Sequence, residues 1–318
     1  MKGIERFETY LDQLVQLTQG ISKSKSAAES MLQQNGRTIF FMLEGLCRVY
    51  QFLHNKKLFS KLGEKVKAVE DLLGDMDHYR ECIDEFDKKD NIPAPVIEYF
   101  REMYGKSTGK LNLLLQKEGW LNGSRIEKIR KKLHKASWKK EKKEAEEIKR
   151  YYQEEIKEFE KLCKETGRMT EIEDHLHEFR RRLRWFSIYP HALQGIIQLE
   201  ENKKNRENLL KYQTAEIVSS PFNKLPEVGN ARFICYLRKE NFLALSWMID
   251  ALGKLKDRGL LSENLVHALK ETRQSSDFLN ALEPPGDLLK EANNIMQAFM
   301  EDKVLDDLVG KISKKGRP

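Results

Sequence analysis

The sequence predicts an all-α fold, and three observations carry that prediction. Charged residues make up 34% of the 318 positions while only eight are proline, which suits long solvated helices better than sheets with proline-rich turns. The Leu, Lys and Glu runs recur at steps of three and four rather than alternating, the period of one helix face. No strand-rich region stands out against them. With 40% hydrophobic residues and 9% aromatics, the chain can bury a core in one large or two ordinary domains.

Periodicity and breakers place helices near residues 2–20, 27–54, 57–87, 94–118, 123–166, 170–187, 190–216, 228–257, 262–281 and 285–312. The run from Asn91 to Pro95 opens one of them, because the first turn has no use for the N–H that proline lacks. Asn122-Gly123-Ser124 separates two helices, and Glu283-Pro284-Pro285-Gly286 separates the last two. Ser219 to Gly229, with Pro221 and Pro226, is the longest expected loop and reads as a connector.

The formal charge is +7, from 57 bases and 50 acids, with a pI near 9.0. That balance favours acidic partners, so the placement of the bases decides the reading. Cys47, Cys82, Cys163 and Cys235 are widely separated and form no C-x-x-C pair, which indicates neither a zinc site nor a disulfide framework. No apolar run is long enough for a signal peptide or a membrane span, so a cytoplasmic, membrane-free protein is expected.

The segment Glu171 to Trp185 is the most informative. On a helix, at about 100° per residue, His177, Arg180, Arg181 and Arg184 fall within roughly 100° of arc, beside an apolar seam of Leu176, Phe179, Leu183 and Phe186. Arginine binds oxyanions through a bidentate fork and stays charged, so this stripe suits phosphate oxygens. Glu171, Glu173, Asp174 and Glu178 stand close enough to neutralise it as a structural network instead.

A second basic element runs from Arg125 to Lys143. Ile126, Ile129, Leu133 and Ala136 line one face, while Lys128, Lys132, Lys135 and Lys139 continue a series begun by Arg125 along another. As one straight helix this rail would extend roughly 25 Å, suited to a linear polyphosphate or nucleic-acid backbone. A solvated face paired to later acids is the alternative.

A metal is not expected. His175 and His177 point about 200° apart on a helix, and the possible pair Glu173 and His177 has no completing ligand. No nucleophile elbow, phosphate loop or dinucleotide fingerprint is present, so no catalytic residue or cofactor is assigned. An enzyme would require several carboxylates to converge beside the basic residues.

The chain also carries a weak duplication. Leu43 to Leu53 precedes V-K-A-V-E-D-L-L-G-D-M-D-H at Val66 to His78, and Phe179 to Phe186 precedes M-I-D-A-L-G-K-L-K-D at Met248 to Asp257. Each pair is an arginine-bearing apolar helix followed by a helix ending in Leu-Gly, with a polar or acidic residue four positions after the glycine.

These residues resemble the CHAD family, the conserved histidine α-helical domain. His177-x-x-Arg180 with the turn ending Arg184-Trp185 is similar to that family's first pattern, and Lys67 to Asp77 to its second, Lys-x-apolar-Gln/Glu-x-x-Leu-Gly with Asp soon after. The resemblance implies two pseudo-symmetric bundles of antiparallel helices, here 1–168 and 169–318, whose basic residues line a shared groove that binds inorganic polyphosphate. It further implies His177, Arg180 and Arg184 as phosphate contacts and Lys67 as the lysine before Leu-Gly. The sequence departs from the pattern in places: Gln34 stands where the first copy would carry histidine, leaving Arg37 and Arg48, and Ser246 stands where the second would carry lysine. The turn of Arg182 to Trp185 also falls three residues closer to His177 than is usual.

The expected function is therefore non-catalytic binding of a linear polyanion, inorganic polyphosphate foremost. The expected contacts are His177, Arg180, Arg181, Arg184, Lys67, Arg37, Arg48, Lys128, Lys132, Lys135 and Lys139. A nucleic-acid binder using the rail and a helical scaffold without a polyanion are the alternatives.

Overall fold

A computed structural model describes residues 2–89, 91–201, 206–275 and 284–315. Among these residues the protein is mostly helical, with twelve α-helices and three short strands. No helix among them is long and apolar enough to cross a membrane.

The first half is built from α1 (Gly3–Ile21), α2 (Ala27–Gln33), α3 (Gly36–Leu53), α4 (Lys56–Phe86) and α5 (Ala94–Lys117). The side chains of Ser26 and Asn55 cap α2 and α4 by accepting from the backbone N–H of Glu29 and Leu58. Proline opens α5, as its position predicts. The helix expected over 27–54 is split, because Asn35 takes a left-handed φ of 60°. A β carbon on Gly36 would lie 2.6 Å from Met31 Cγ, so only glycine fits the turn.

The helix expected over 123–166 is likewise two helices, α6 (Ser124–His134) and α7 (Glu141–Thr166). Between them Trp138 leaves the helical path and enters an aromatic cluster, with ring centroids 5.4 Å from Tyr50, 5.3 Å from His54 and 5.9 Å from Phe59. Its indole N–H donates to Leu133 O at the end of α6. Burying the indole outweighs continuing a helix through a run of mutually repelling lysines.

The segment expected as a helix over 170–187 begins with a wide π-helical turn, Ile172–His177, that continues into α8 (Glu178–Ala192). The helices expected over 190–216, the start of 228–257 and the end of 285–312 need correcting. Residues 190–216 hold β1 (Ile197–Glu200) and two short helices, α9 (Glu207–Leu210) and α10 (Ala215–Ser219). Phe233–Arg238 forms β2 and Val309–Lys314 forms β3. β2 is central, parallel to β1 with Ile197 opposite Cys235, and antiparallel to β3 with Phe233 opposite Lys314. Helix α11 (Lys239–Glu271) runs unbroken where two helices were expected, and α12 (Pro285–Glu301) follows. The expected end of the 262–281 helix lies beyond residue 275, outside the described residues.

One hydrophobic cluster runs from Phe7 to Leu308 and includes Phe159, Cys163, Met169 and Ile172 on both sides of position 168. A buried polar knot ties its distant parts together. The fully buried Arg6 donates to Leu193 O at 2.8 Å, Tyr50 Oη at 2.6 Å and Glu144 Oε2 at 2.8 Å, while Tyr50 donates to Glu144 Oε1 at 2.7 Å.

Candidate anion-binding site

Helices α3, α4, α8 and α11, with the π-helical turn, enclose a groove of about 710 Å³. The turn is held by Ile172, whose side chain would meet a β carbon on Gly259 of α11 at 2.8 Å.

The groove unites His177, Arg180, Arg181 and Arg184 with Arg37, Arg48 and Lys67. The rail does not join them: Lys128, Lys132, Lys135 and Lys139 are not among the lining residues. Helix α6 lies against α1 instead, where Arg130 pairs with Glu8 and Asp12. Lys139 lies in the break before α7, 3.7 Å from Glu147, so the straight 25 Å rail does not form. The resemblance to a basic groove also needs correcting. The cations Arg37, Arg48, Lys67, Arg180, Arg181, Arg184 and Lys256 share it with nine carboxylates: Glu44, Glu70, Asp71, Asp75, Asp77, Glu81, Glu173, Asp257 and Glu263. Glu70 and Asp77 belong to the Lys67–Asp77 pattern, but no site role was assigned to the α4 and α11 carboxylates, although Asp71 with Asp75 and Asp77 with Glu81 recur at the four-residue spacing that puts each pair on one face.

Most of the cations already have partners. Arg37 Nε donates to Glu70 Oε1 at 3.0 Å and its Nη1 to Asp77 Oδ2 at 3.1 Å. Arg48 pairs with Glu44 at 2.9 Å, Lys67 with Asp71, and Lys256 with Asp257. Arg181 pairs with Glu178 at 2.6 Å, so the acids beside the stripe do neutralise its outer edge.

Arg180 and Arg184 escape that pairing. Among the described residues neither forms an ion pair within 4 Å. Arg180 Nε donates to the backbone carbonyl of Ile249 at 3.1 Å. Arg184 Nε is buried without a hydrogen-bond partner, and the guanidinium stacks 4.6 Å from the centre of the Phe41 ring. Burial, then the charges of Arg180 and Arg37, hold the Arg184 guanidinium down to about 10. Burial also lowers the titration of Arg180. Both remain protonated at neutral pH, so two close positive charges sit in a recess that desolvates them.

His177 completes this end. Its Nδ1 is buried without a hydrogen-bond partner, 3.7 Å from Glu173 Oε2. Burial lowers its titration below the ordinary histidine value; the nearby Glu173 opposes this, and Lys256, Arg181 and Arg180 add to it. The opposite wall carries the converse signature. Burial, then Asp71, raises Asp75, while burial, then Asp77 and Asp257, raises Glu81. Excess positive charge thus faces excess negative charge across one groove.

An internal correspondence organises the site. Arg37 follows Gln34 by three residues as Arg180 follows His177, and Phe41 stands four beyond Arg37 as Arg184 stands four beyond Arg180. Each arginine rests on the glycine of a Leu-Gly pair. A β carbon on Gly74 would lie 2.8 Å from Arg37 Nη2, and one on Gly253 would lie 2.8 Å from Arg180 Nε. The two resulting Arg–Gly seats face one groove, with Arg37 and Arg184 both near the Phe41 ring, at 5.3 and 4.6 Å.

No family model, curated protein or solved structure matches this chain. The functional reading therefore stands on the groove itself. Its cations can hold phosphate oxygens, and its carboxylates can hold cations or hydroxyl donors. No group of three or more His, Cys, Asp or Glu side chains suited to a metal ion occurs among the described residues.

Proposed function

We propose that this protein binds a phosphate-bearing polyanion, inorganic polyphosphate foremost, without transforming it, and that its fold is a divergent CHAD-like pair of pseudo-symmetric helical bundles. The repeated seating of Arg37 on Gly74 and of Arg180 on Gly253 supports the fold reading. One observation carries the function: Arg180 and Arg184 sit side by side, half-buried in a groove, and among the described residues neither forms an ion pair within 4 Å, while Arg184 Nε is buried without a hydrogen-bond partner. Burying a charge without a partner is costly, and a folded protein retains such an arrangement where a ligand supplies the missing charge. Guanidinium forks would then take phosphate oxygens in place of released counterions, on cations that helix packing has already brought together.

Titration of polyphosphate at several salt concentrations tests this reading. Affinity should fall steeply as salt rises, and Arg180→Ala with Arg184→Ala should abolish binding. A flat salt response, or unchanged binding by the double variant, would sink it.

The convergence of nine carboxylates beside the arginines favours a second reading, hydrolysis of the bound phosphoanhydride by a water that a carboxylate activates as general base. Release of orthophosphate from polyphosphate, lost in Asp75→Asn with Glu81→Gln, would support hydrolysis over simple binding.

A further inference from the structure

The two Arg–Gly seats share a backbone plan and differ in charge. In the first, Glu70 stands four residues before Gly74 and Asp77 three residues after it, and both carboxylates bind the Arg37 guanidinium. In the second, the same offsets from Gly253 fall on Ile249 and Lys256. Ile249 offers Arg180 only a backbone carbonyl, and Lys256 brings a further cation. One seat is filled by the protein's own acids while the other lacks them.

We infer that Glu70 and Asp77 are specificity-determining residues that occupy the Arg37 seat as internal substitutes for an anion. They limit the groove's contacts to one or two phosphoryl groups of the polyanion, held on Arg180 and Arg184. This rests on the reading that the groove binds phosphate. Carboxylate and phosphate oxygens accept from the same guanidinium fork, so an anion cannot enter the first seat without displacing two acceptors that are already in place. It would also have to lie beside Asp71 and Asp75, which share that wall. Arg184 Nε is orphaned, whereas Arg37 has both Nε and Nη1 engaged. A chain running along the groove would leave the cationic end and meet carboxylates of its own sign. The occupied seat therefore limits how many phosphoryl groups of a chain the groove engages.

The test uses the full chain and calorimetric titration with pyrophosphate and with long-chain polyphosphate, affinities being expressed per phosphoryl group. The wild type should bind both alike, within about threefold, since only one seat is open. Glu70→Gln with Asp77→Asn keeps side-chain volume and removes the charges. That variant should gain roughly tenfold or more for the long chain while pyrophosphate binding stays within about threefold. A reciprocal variant, Ile249→Glu with Lys256→Asp, should lose pyrophosphate binding by filling the second seat, and it keeps the inference testable if the first variant fails to fold. The inference is overturned if the wild type already favours the long chain tenfold, or if the double variant keeps pyrophosphate binding and gains nothing. Wild-type protein that binds neither anion would overturn the phosphate reading itself, and this inference with it.

Discussion

The Arg180 guanidinium rests on Gly253, whose absent side chain leaves the space that Nε and Nη2 occupy; a β carbon there would lie 2.8 and 2.9 Å from them. Gly253→Ala should therefore push Arg180 out of place while favouring the surrounding helix by up to about 1 kcal/mol. Because a hydrogen bond to a charged group contributes ~1.5–3 kcal/mol, pyrophosphate affinity should fall about ten- to a hundredfold. Gly74→Ala would displace Arg37 instead and should leave that affinity nearly unchanged. Calorimetry on the two variants checks the contrast, and equal losses would contradict the assignment of the open seat.

Arg184→Met should stabilise the unliganded protein. The substitution replaces a half-buried cation that forms no ion pair within 4 Å and leaves its Nε without an acceptor with an apolar chain of similar length, a change worth roughly 1 kcal/mol, less the lost stacking on Phe41. The same variant should lose the rise in melting temperature that pyrophosphate gives the wild type. Thermal melts with and without ligand read both effects, and a destabilised variant would show that Arg184 serves the fold instead.

The fold class was legible in the sequence because helical spacing dominates it, and α1, α4 and α5 fall within a residue or so of the expected ranges. The stripe at His177 was legible for the same reason, and its arginines do reach a groove with Arg37. Three other features needed tertiary information. The break at Asn35-Gly36 carried a turn signal, but its necessity comes from Met31 crowding Gly36. The lysine rail failed because Trp138 gains more by joining Tyr50, His54 and Phe59 than the helix gains by continuing. The strands are short, and Ile197–Glu200 became readable as a strand only beside Phe233–Arg238, whose aromatic and β-branched residues were a usable signal. The acids opposite the arginines were visible as residues, while their convergence depended on α4 and α11 facing α8.

His177 should make anion binding proton-linked. Its titration is lowered by burial in the free protein, so the ring is neutral at pH 7, and a bound anion would raise it again. Affinity should increase as pH falls from 7 toward 5 and stay flat above 7. Sulfate is the suitable probe because its own charge is constant across this range. His177→Gln should remove the slope. The free protein should show the opposite trend in stability: a group whose folded value lies below its unfolded value favours unfolding as pH drops below about 6.5. Sulfate titrations and melts across pH 5–8 measure the two together.

Arg6→Ala should cost about 3–5 kcal/mol, because it leaves Glu144 and Tyr50 buried without the cation that joins them. Arg6 also holds Leu193 O, at the end of α8. The loss is expected as a large fall in the urea midpoint, and a change under about 1 kcal/mol would show that the knot is not a main support of the core.

Strand β2 bonds on both sides, to β1 and to β3, and its partners come from opposite directions along the chain. The consequence concerns synthesis. The four helices around the groove, with its arginines, can be delivered by the ribosome before residues 309–314 emerge. Until then the nascent protein presents one side of β2 as a row of open donors and acceptors, a template for pairing with another chain. The interval between translating α11 and translating β3 is the time at which this protein depends most on being shielded from its neighbours.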